Sequence, residues 1–373
     1  MAQNSTKWTL GKDFFTRGAH HESIKDLWET KWKFAALKSV YPFHDGKFED
    51  FEQVFAQLIE SNINDAYSDA YTEAFFPTCR NLSNEVDIAI VTKDFATASN
   101  LYFRIAALYR ISRFPIINSE TKRIAFEYQK IAYMKAVNSW IDPIREVQIP
   151  YIAASGSNRV GFPIYVRVPS TASSNKPVPV VILITGLDGY RPDNTQRSHE
   201  FLKRGWASVI VEIPGTADSA ADPRDVMSPD RVWDRVFEWM DQQHTFDINR
   251  VVAWGLSMGG YYAVRIAHTH KARLRGVIAQ GAGVHHFFDR EWLDKVDDHE
   301  YPFDINPAFA QKFGYDCVEK FKEQSQKKFS LLETGILHRS STQLLLINGT
   351  HDGLMPVEDS ILCLKYGNPK HAR

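Results

Sequence analysis

The stretch VVAWGLSMGGYYAVRIA, residues 251–267, decides the fold. It opens with a short apolar run, RVVAW, that is typical of a buried strand, and it continues into the helical pattern YYAVRIAHTH. Between the two, Gly255-Leu256-Ser257-Met258-Gly259 fits the pattern G-x-S-x-G. A serine at a sharp strand-to-helix turn adopts a strained backbone conformation, so small residues are needed two positions away on either side. Gly255 and Gly259 meet that need, which favours Ser257 as a nucleophile over a plain glycine-rich turn.

The sequence on both sides of this turn predicts a mostly parallel sheet. From Arg145 onward, continuous apolar runs alternate with helical stretches such as DRVWDRVFEWMDQ. The runs are PVVILITG, WASVIVEIPG, RVVAWGLS, LRGVIAQGAG and TQLLLING, and REVQIPYIA and GFPIYVRVPS precede them as a predicted strand pair. Continuous apolar strands that alternate with helices indicate a sheet covered on both faces. Together with the serine turn, this pattern predicts an α/β-hydrolase fold over residues 145–373.

Residues 1–144 are predicted to form a separate helical domain. From about residue 20 to 140, apolar positions recur at three- and four-residue steps, as in ESIKDLWETKWKFAALKSV. The pair Asp142-Pro143 disfavours helix continuation and marks the boundary.

Composition excludes several classes of partner. The formal net charge is -1, with 44 basic against 45 acidic residues, so nucleic acid and anionic membrane surfaces are not indicated. No apolar segment has the length of a signal peptide or of a membrane span, and we expect a cytoplasmic protein. Three widely spaced cysteines are expected to be free thiols, and no residue spacing suggests a metal or a cofactor.

The oxyanion of an acyl-transfer reaction needs fixed hydrogen-bond donors. One is expected to be the backbone N–H of Met258, the residue after the serine, and the second comes from the loop ITGLDGYRPD. We assign the second donor to the N–H of Leu187, with that of Gly186 as the fallback. Asp188 in this loop either orients a substrate hydroxyl or caps its own turn.

The acid and the base should follow the serine in that order. TQLLLINGTHDGLMP places Asp352 just after a strand, where it would orient the imidazole; a turn-forming aspartate is the alternative. His371 is the only later histidine, but it falls where a further strand should begin, so it is a fallback. We therefore expect the catalytic histidine beyond Arg373, together with a final strand and helix that this sequence lacks. The earlier histidines, including His285 and His286, are read as surface or pocket wall.

A group of motifs resembles one known family. ITGLDGYRPD, IPGTADS, WGLSMGGYYAVRIA, QGAGVHHFF and INGTHDGLMP are similar to the fungal polyketide-shortening hydrolases of dihydroxynaphthalene melanin synthesis, the yellowish-green conidial-pigment type. The resemblance covers nearly the whole chain, and the wider group includes pseudooxynicotine hydrolases. It implies cleavage of a heptaketide naphthopyrone to 1,3,6,8-tetrahydroxynaphthalene and acetoacetate, with Ser257 as nucleophile and Asp352 as acid.

The same resemblance implies an aromatic polyketide substrate, a homodimer, and a helical domain that serves as lid and dimer contact. It also leaves open an unconventional route to endosomes or secretory vesicles. Aromatic residues of the helical half are expected to be mostly core, with a few available for a flat pocket: Trp28, Trp32, Tyr41, Phe75, Phe76, Tyr102, Phe103 and Tyr109. Two other functions remain open, an esterase or another C–C ketone hydrolase, and a silent ligand-binding relative that lacks the base.

Overall fold

The computed structural model describes residues 6–152 and 159–367, and these divide into two compact units. One is Arg17–Arg145; the other joins residues 6–16 to the chain from Glu146 onward. The sequence predicted the boundary near residue 145, but it placed residues 6–16 with the helical domain. They lie with the second unit because Trp8 packs on Trp292, with ring centroids 4.8 Å apart, and the Thr9 amide donates to Glu358 at 2.6 Å.

The unit Arg17–Arg145 is helical, as predicted. Its α-helices are α1 (Ile24–Leu27), α2 (Lys33–Leu37), α3 (Phe48–Glu60), α4 (Asp69–Glu73), α5 (Phe76–Val91), α6 (Phe95–Ser112) and α7 (Glu120–Val137), with a π-helical turn at Trp28–Trp32 and a 3-10 turn at Ala19–His21. Side chains of Ser23, Ser68, Asp94 and Ser119 cap α1, α4, α6 and α7 by accepting a first-turn amide. Most of the aromatic residues of this unit were expected in its core. Trp28 lies there and stacks on Phe55, with ring centroids 4.4 Å apart, whereas Tyr41 is 45% exposed.

The second unit contains a seven-stranded sheet with the order β1-β2-β4-β3-β5-β6-β7. The strands are β1 (Arg145–Ile152), β2 (Arg159–Arg167), β3 (Val178–Ile184), β4 (Ala207–Val211), β5 (Phe246–Leu256), β6 (Gly276–Gln280) and β7 (Leu344–Ile347). The pairs from β4 through β3, β5 and β6 to β7 are parallel, and β2 runs antiparallel to β4. This is the α/β-hydrolase fold that the alternating runs predicted.

The central strands explain why continuous apolar runs were the right signal. All five residues of β4 are buried, as are all residues of β3 except Pro179. Three helices pack against the sheet, α8 (Thr195–Lys203), α9 (Ser228–Asp241) and α10 (Met258–Thr269). The unit also contains α11 (Arg290–Leu293), α12 (Asn306–Lys312), α13 (Val318–Phe329) and α14 (Val357–Cys363). Short 3-10 turns lie at Gly11–Phe15, Arg191–Asp193, Lys271–Arg273, His286–Phe288 and Val296–Asp298.

β7 is the last strand of the described sheet on its side. It pairs with β6 in parallel, and the side chains of Leu345 and Ile347 are exposed. Within the described chain, no helix combines the length and apolarity that crossing a bilayer requires. Cys79, Cys317 and Cys363 are free, as expected.

Candidate active site

Ser257 lies at the turn between β5 and α10 with backbone angles φ 54° and ψ -124°. A left-handed φ is uncommon for a residue that carries a side chain, and such strain persists only where the surroundings enforce it. Here the Ser257 amide donates to the Gln280 carbonyl at 2.7 Å, and the Ser257 carbonyl accepts from Gly260 at 2.7 Å. These bonds hold the serine in an exposed position at the carboxyl end of the sheet.

The glycines of the motif are required by close packing. A Cβ atom at Gly255 would lie 2.1 Å from the Gly259 carbonyl oxygen, and one at Gly259 would lie 2.3 Å from the Thr185 oxygen. Helix α10 therefore approaches β3 and β5 at a distance that only a missing side chain allows. The prediction that both positions must be small is confirmed.

Two backbone amides beside the serine have no acceptor in the described part of the chain, those of Met258 and Leu187. Gly186 lies close to the serine, because a Cβ there would be 3.6 Å from Ser257 Cβ. The Gly186 amide, however, donates to the Gly189 carbonyl at 3.2 Å. Of the two candidates from this loop, Leu187 is thus the one whose N–H is available.

A buried carboxylate supports the loop after β3, residues 185–191, which is called the oxyanion loop after the donor that the sequence predicts in it. Glu212, just after β4, accepts from the Thr185 hydroxyl at 2.5 Å and from the Arg191 amide at 2.7 Å, so it joins the two ends of the loop. The Arg191 guanidinium is fully buried and forms a bidentate pair with Asp218 at 2.7 and 3.1 Å. Burial raises the pKa of Glu212 to about 7, and the nearby Arg191 charge opposes that rise. This network could not be predicted from residue spacing, because its members are 21 to 27 residues apart in the chain.

Asp352 lies in the turn after β7, as the sequence predicted, and is half-buried. Its Oδ1 accepts from the amides of Leu354 at 2.9 Å and Met355 at 2.8 Å, and Oδ2 has no hydrogen-bond partner among residues 6–152 and 159–367. Burial raises the pKa of Asp352 above its usual value, while the two amides oppose the rise and the charge of Glu300 adds to it. One oxygen is therefore fixed by its turn, and the other can accept a further donor.

The ends of β5, β6 and β7 bring the serine and the acid turn to the same edge. Gly281, which follows β6, donates to the Ile347 carbonyl at 2.8 Å. A Cβ on Gly281 would lie 3.6 Å from Ser257 Cα and 3.8 Å from Met355 Cγ. The structure thus places Ser257, the amides of Met258 and Leu187, and the Asp352 turn around one end of the sheet.

The base is the component that the described residues do not supply. No histidine within them hydrogen-bonds to the Asp352 carboxylate. The side chain of His351 is 75% exposed and lies 3.9 Å from Asp13. His268 was expected at the surface or in a pocket wall, but it is buried, and its Nδ1 lies 2.7 Å from the Arg339 carbonyl oxygen. His371, the fallback base, lies outside the described residues.

One cluster has metal-ligand residue types. His285, His286 and Asp289 each offer a ligand atom, and these atoms lie within 4.8 Å of one another. Asp289 is already engaged, since it accepts from Lys7 at 2.8 Å and from Gln326. Burial opposes its ionisation, yet His286 and Lys7 hold the pKa of Asp289 at about 2. The cluster forms an ion pair with Lys7 that ties residues 6–16 to the rest of the second unit.

Asp188, assigned either to a substrate hydroxyl or to a loop cap, accepts from the hydroxyl of Tyr301 at 2.8 Å. This contact reaches the oxyanion loop from a segment that the sequence analysis did not consider. Tyr301 itself is buried.

A strained serine between strand and helix, two available amides and an aspartate after β7 define the α/β-hydrolase class. Within that class the chain belongs to the FrsA-like esterase family, whose model, described as "Esterase FrsA-like", matches residues 86–371. It is 26% identical over 281 residues to Esterase FrsA of Photorhabdus laumondii subsp. laumondii, covering 74% of this chain and 64% of that protein. The chain therefore spans just under two thirds of the length of these curated relatives.

Other similar proteins are more distant. Hydrolase ffsE of Aspergillus flavipes is 32% identical over 142 residues, which are 33% of this chain and 30% of that protein. Among solved structures, the 2,6-dihydroxy-pseudo-oxynicotine hydrolase superposes with a TM-score of 0.69 at 17% identity, covering 91% of this chain and 87% of that chain. AbyA5 has a TM-score of 0.58 at 17% identity, covering 78% of each chain. These two likenesses establish the fold.

Proposed function

We propose that this chain is a serine hydrolase with Ser257 as nucleophile, Asp352 as the acid, and the amides of Met258 and Leu187 as the oxyanion hole. The observation that carries the proposal is the left-handed backbone of Ser257, φ 54°, at the end of a parallel strand. A strained serine beside two amides without acceptors is costly unless it serves a reaction.

The reaction would proceed through an acyl-enzyme. Ser257 Oγ attacks a carbonyl carbon and gives its proton to a histidine base, and the oxyanion accepts from the two amides. Collapse breaks the bond to the leaving group, which takes the proton back from the base, and water then releases the acyl group. Asp352 Oδ2 is the atom that would accept from the imidazole. The sequence predicts that histidine after Asp352, with His371 as the fallback.

The substrate we propose is an aromatic polyketide, a heptaketide naphthopyrone whose side chain leaves as acetoacetate to give 1,3,6,8-tetrahydroxynaphthalene in conidial melanin synthesis. Expelling carbon is feasible only when a β-carbonyl or a phenolic ring stabilises the carbanion, and this substrate offers both. The motif resemblance supports the proposal, as does a fold shared with a hydrolase of 2,6-dihydroxy-pseudo-oxynicotine. A homodimer is proposed on the resemblance alone.

Two alternatives rest on specific observations. Membership of the FrsA-like esterase family favours a carboxylic ester as substrate. A silent ligand-binding protein is favoured by the lack of a described histidine at Asp352, because a site without its base loses most of the rate advantage of a triad.

The test compares the full chain with Ser257→Ala and with Ser174→Ala, which changes an exposed serine in the loop before β3. Acetoacetate release from the naphthopyrone and hydrolysis of p-nitrophenyl acetate are measured, with fluorophosphonate labelling followed by intact mass. We expect Ser257→Ala to lose all three activities and Ser174→Ala to keep them. Faster ester turnover would favour the esterase, and naphthopyrone binding without turnover or labelling would favour the silent protein. Turnover retained in Ser257→Ala would remove this serine from the mechanism.

A further inference from the structure

Three consecutive residues, His299, Glu300 and Tyr301, contact two of the loops that form the site. Both Glu300 carboxylate oxygens accept from the Gly353 amide, at 2.8 and 3.1 Å, and His299 Nδ1 lies 2.7 Å from the Gly353 carbonyl oxygen. Gly353 directly follows Asp352, so Glu300 and His299 fix the position of the peptide groups on both sides of the residue after the acid. Tyr301 donates to Asp188, the residue after the oxyanion donor Leu187, at 2.8 Å.

The segment is anchored on its far side, so it can act as a support. His299 is 6% exposed, and its Nε2 lies 3.2 Å from the Phe14 carbonyl oxygen. Its ring packs against Trp292 at 5.5 Å and Phe14 at 5.7 Å between centroids. At Gly353 a Cβ would lie 2.3 Å from Glu300 Oε2 and 2.7 Å from His299 Cβ, so the acid turn fits closely against the segment.

Glu300 also brings charge to the site. It is exposed, and the Gly353 amide is its one hydrogen-bond donor in the described chain. Burial raises the pKa of Asp352, and the negative charge of Glu300 adds to that rise. The remaining groups nearby are His299, which faces the Gly353 carbonyl, and His351, which lies beside Asp13. The acid turn therefore has a second carboxylate beside it.

We propose that Glu300 is a positioning residue for Asp352. It holds the acid turn through the Gly353 amide and places a negative charge beside the acid, while Tyr301 ties the same segment to the oxyanion loop. This inference rests on the proposed function, in which Asp352 orients the base. A negative charge beside the acid and its base favours the protonated form of each, so Glu300 sets the lower pH limit of activity.

Two substitutions separate the charge from the hydrogen bond. Glu300→Gln keeps an acceptor oxygen but removes the charge. The acid limb of the pH profile of kcat/KM should therefore shift to lower pH by about half a pH unit at low salt. The shift should shrink near 1 M salt, because the charge is exposed. Glu300→Asp keeps the charge on a shorter chain, so it should leave the acid limb in place and lower kcat about tenfold.

Glu323→Gln is the matched control, since it removes the same charge from an exposed glutamate on α13 whose side chain has no hydrogen bond within the described chain. It should change neither the limb nor kcat. Ester hydrolysis and fluorophosphonate labelling provide the profiles, and thermal unfolding verifies that each variant folds. Coincident profiles for folded Glu300→Gln and wild type would overturn the inference, as would equal shifts in the Gln and Asp variants.

A second measurement needs no activity and separates the two proposals. A double-mutant cycle of Glu300→Gln and Asp352→Asn, followed by urea unfolding, should report repulsion between the carboxylates at pH 7 that disappears near pH 3. If repulsion is measured but the Ser257→Ala variant remains fully active, the inference on how Glu300 acts on the turn would stand and the proposed mechanism would be rejected. An inactive Ser257→Ala variant with no coupling at pH 7 would leave the mechanism standing and reject the role of Glu300.

Discussion

Replacing Lys312 with Met should change how the free energy of unfolding depends on pH, because the Lys312 amine is buried in the folded protein. Lys312 ends α12 and is fully buried, and within the described chain its Nζ has one hydrogen-bond partner, the Tyr262 hydroxyl on α10. Burial lowers the pKa of Lys312 well below its usual value. The ring centroids of Phe313 at 3.8 Å and Tyr262 at 4.7 Å favour the ammonium form, but two rings and one hydroxyl do not replace its hydration shell.

The magnitude follows from proton linkage. In the unfolded chain the amine titrates near its ordinary pKa of about 10.4, so between the lowered pKa and about 10.4 unfolding takes up a proton. The free energy of unfolding then rises by about 1.4 kcal/mol per pH unit, from the lowered pKa up to about 10.4. Met keeps an unbranched chain without the amine, so the stability of Lys312→Met minus that of wild type should fall by about 1.4 kcal/mol for each pH unit above the lowered pKa, a maximum of about 2.7 kcal/mol between pH 7.5 and 9.5.

The assay is urea unfolding at pH 7.5, 8.5 and 9.5, followed by tryptophan fluorescence and circular dichroism. The transition of the sheet-containing unit is fitted separately, because a chain of two units need not unfold in one step. Lys320→Met, at an exposed lysine on α13, is the control and should give a flat difference. The lost hydrogen bond to Tyr262 adds a constant offset. A flat difference for Lys312→Met would refute the reasoning, since it would mean that Lys312 is charged in the folded protein.

Two further substitutions test the packing around the site. Gly255→Ala puts a Cβ 2.1 Å from the Gly259 oxygen, so it should cost about 1–3 kcal/mol and reduce fluorophosphonate labelling of Ser257 at least about tenfold. Gly276→Ala, whose Cβ would have its nearest neighbour at 3.7 Å, should change neither, and equal losses in both variants would contradict the packing argument. Asp359→Asn should lower the free energy of unfolding by about 2–4 kcal/mol in urea titrations. The buried carboxylate accepts from four backbone amides at 2.7–2.9 Å, and the single oxygen of an amide side chain cannot accept from all four. An unchanged urea midpoint would count against this prediction.

The elbow could be predicted because its constraints are local. The strand, the serine, the two glycines and the helix lie within 20 residues, so their spacing alone reports the close packing that Gly255 and Gly259 permit. Asp352 could be placed because the turn after a strand falls at the edge of the sheet where ligands gather. The availability of the Leu187 amide rather than that of Gly186 depended on one turn hydrogen bond, which residue types do not reveal.

The supports of the site could not be predicted, because they join distant parts of the chain through irregular backbone. His299 and Phe14 are 285 residues apart, and neither belongs to a periodic pattern that indicates a contact. The packing of Trp8 on Trp292 has the same character, and it holds residues 6–16 against the chain that follows Glu146. Hydrophobic periodicity identifies elements and their buried faces, but it carries no information about which distant loop they meet.

A common device explains how these loops stay in place. Loops after parallel strands have no ladder partners for their amides, and a carboxylate from another element can accept amides without imposing regular structure. In the loop after β3, Glu212 accepts from the Arg191 amide. In the loop after β6, Asp359 accepts from the Val284 amide and its neighbours. In the loop after β7, Glu300 accepts from the Gly353 amide. The first two are buried, so their loss should appear mainly in stability. Glu300 is exposed, so its loss should cost little stability and appear in the pH dependence of the reaction.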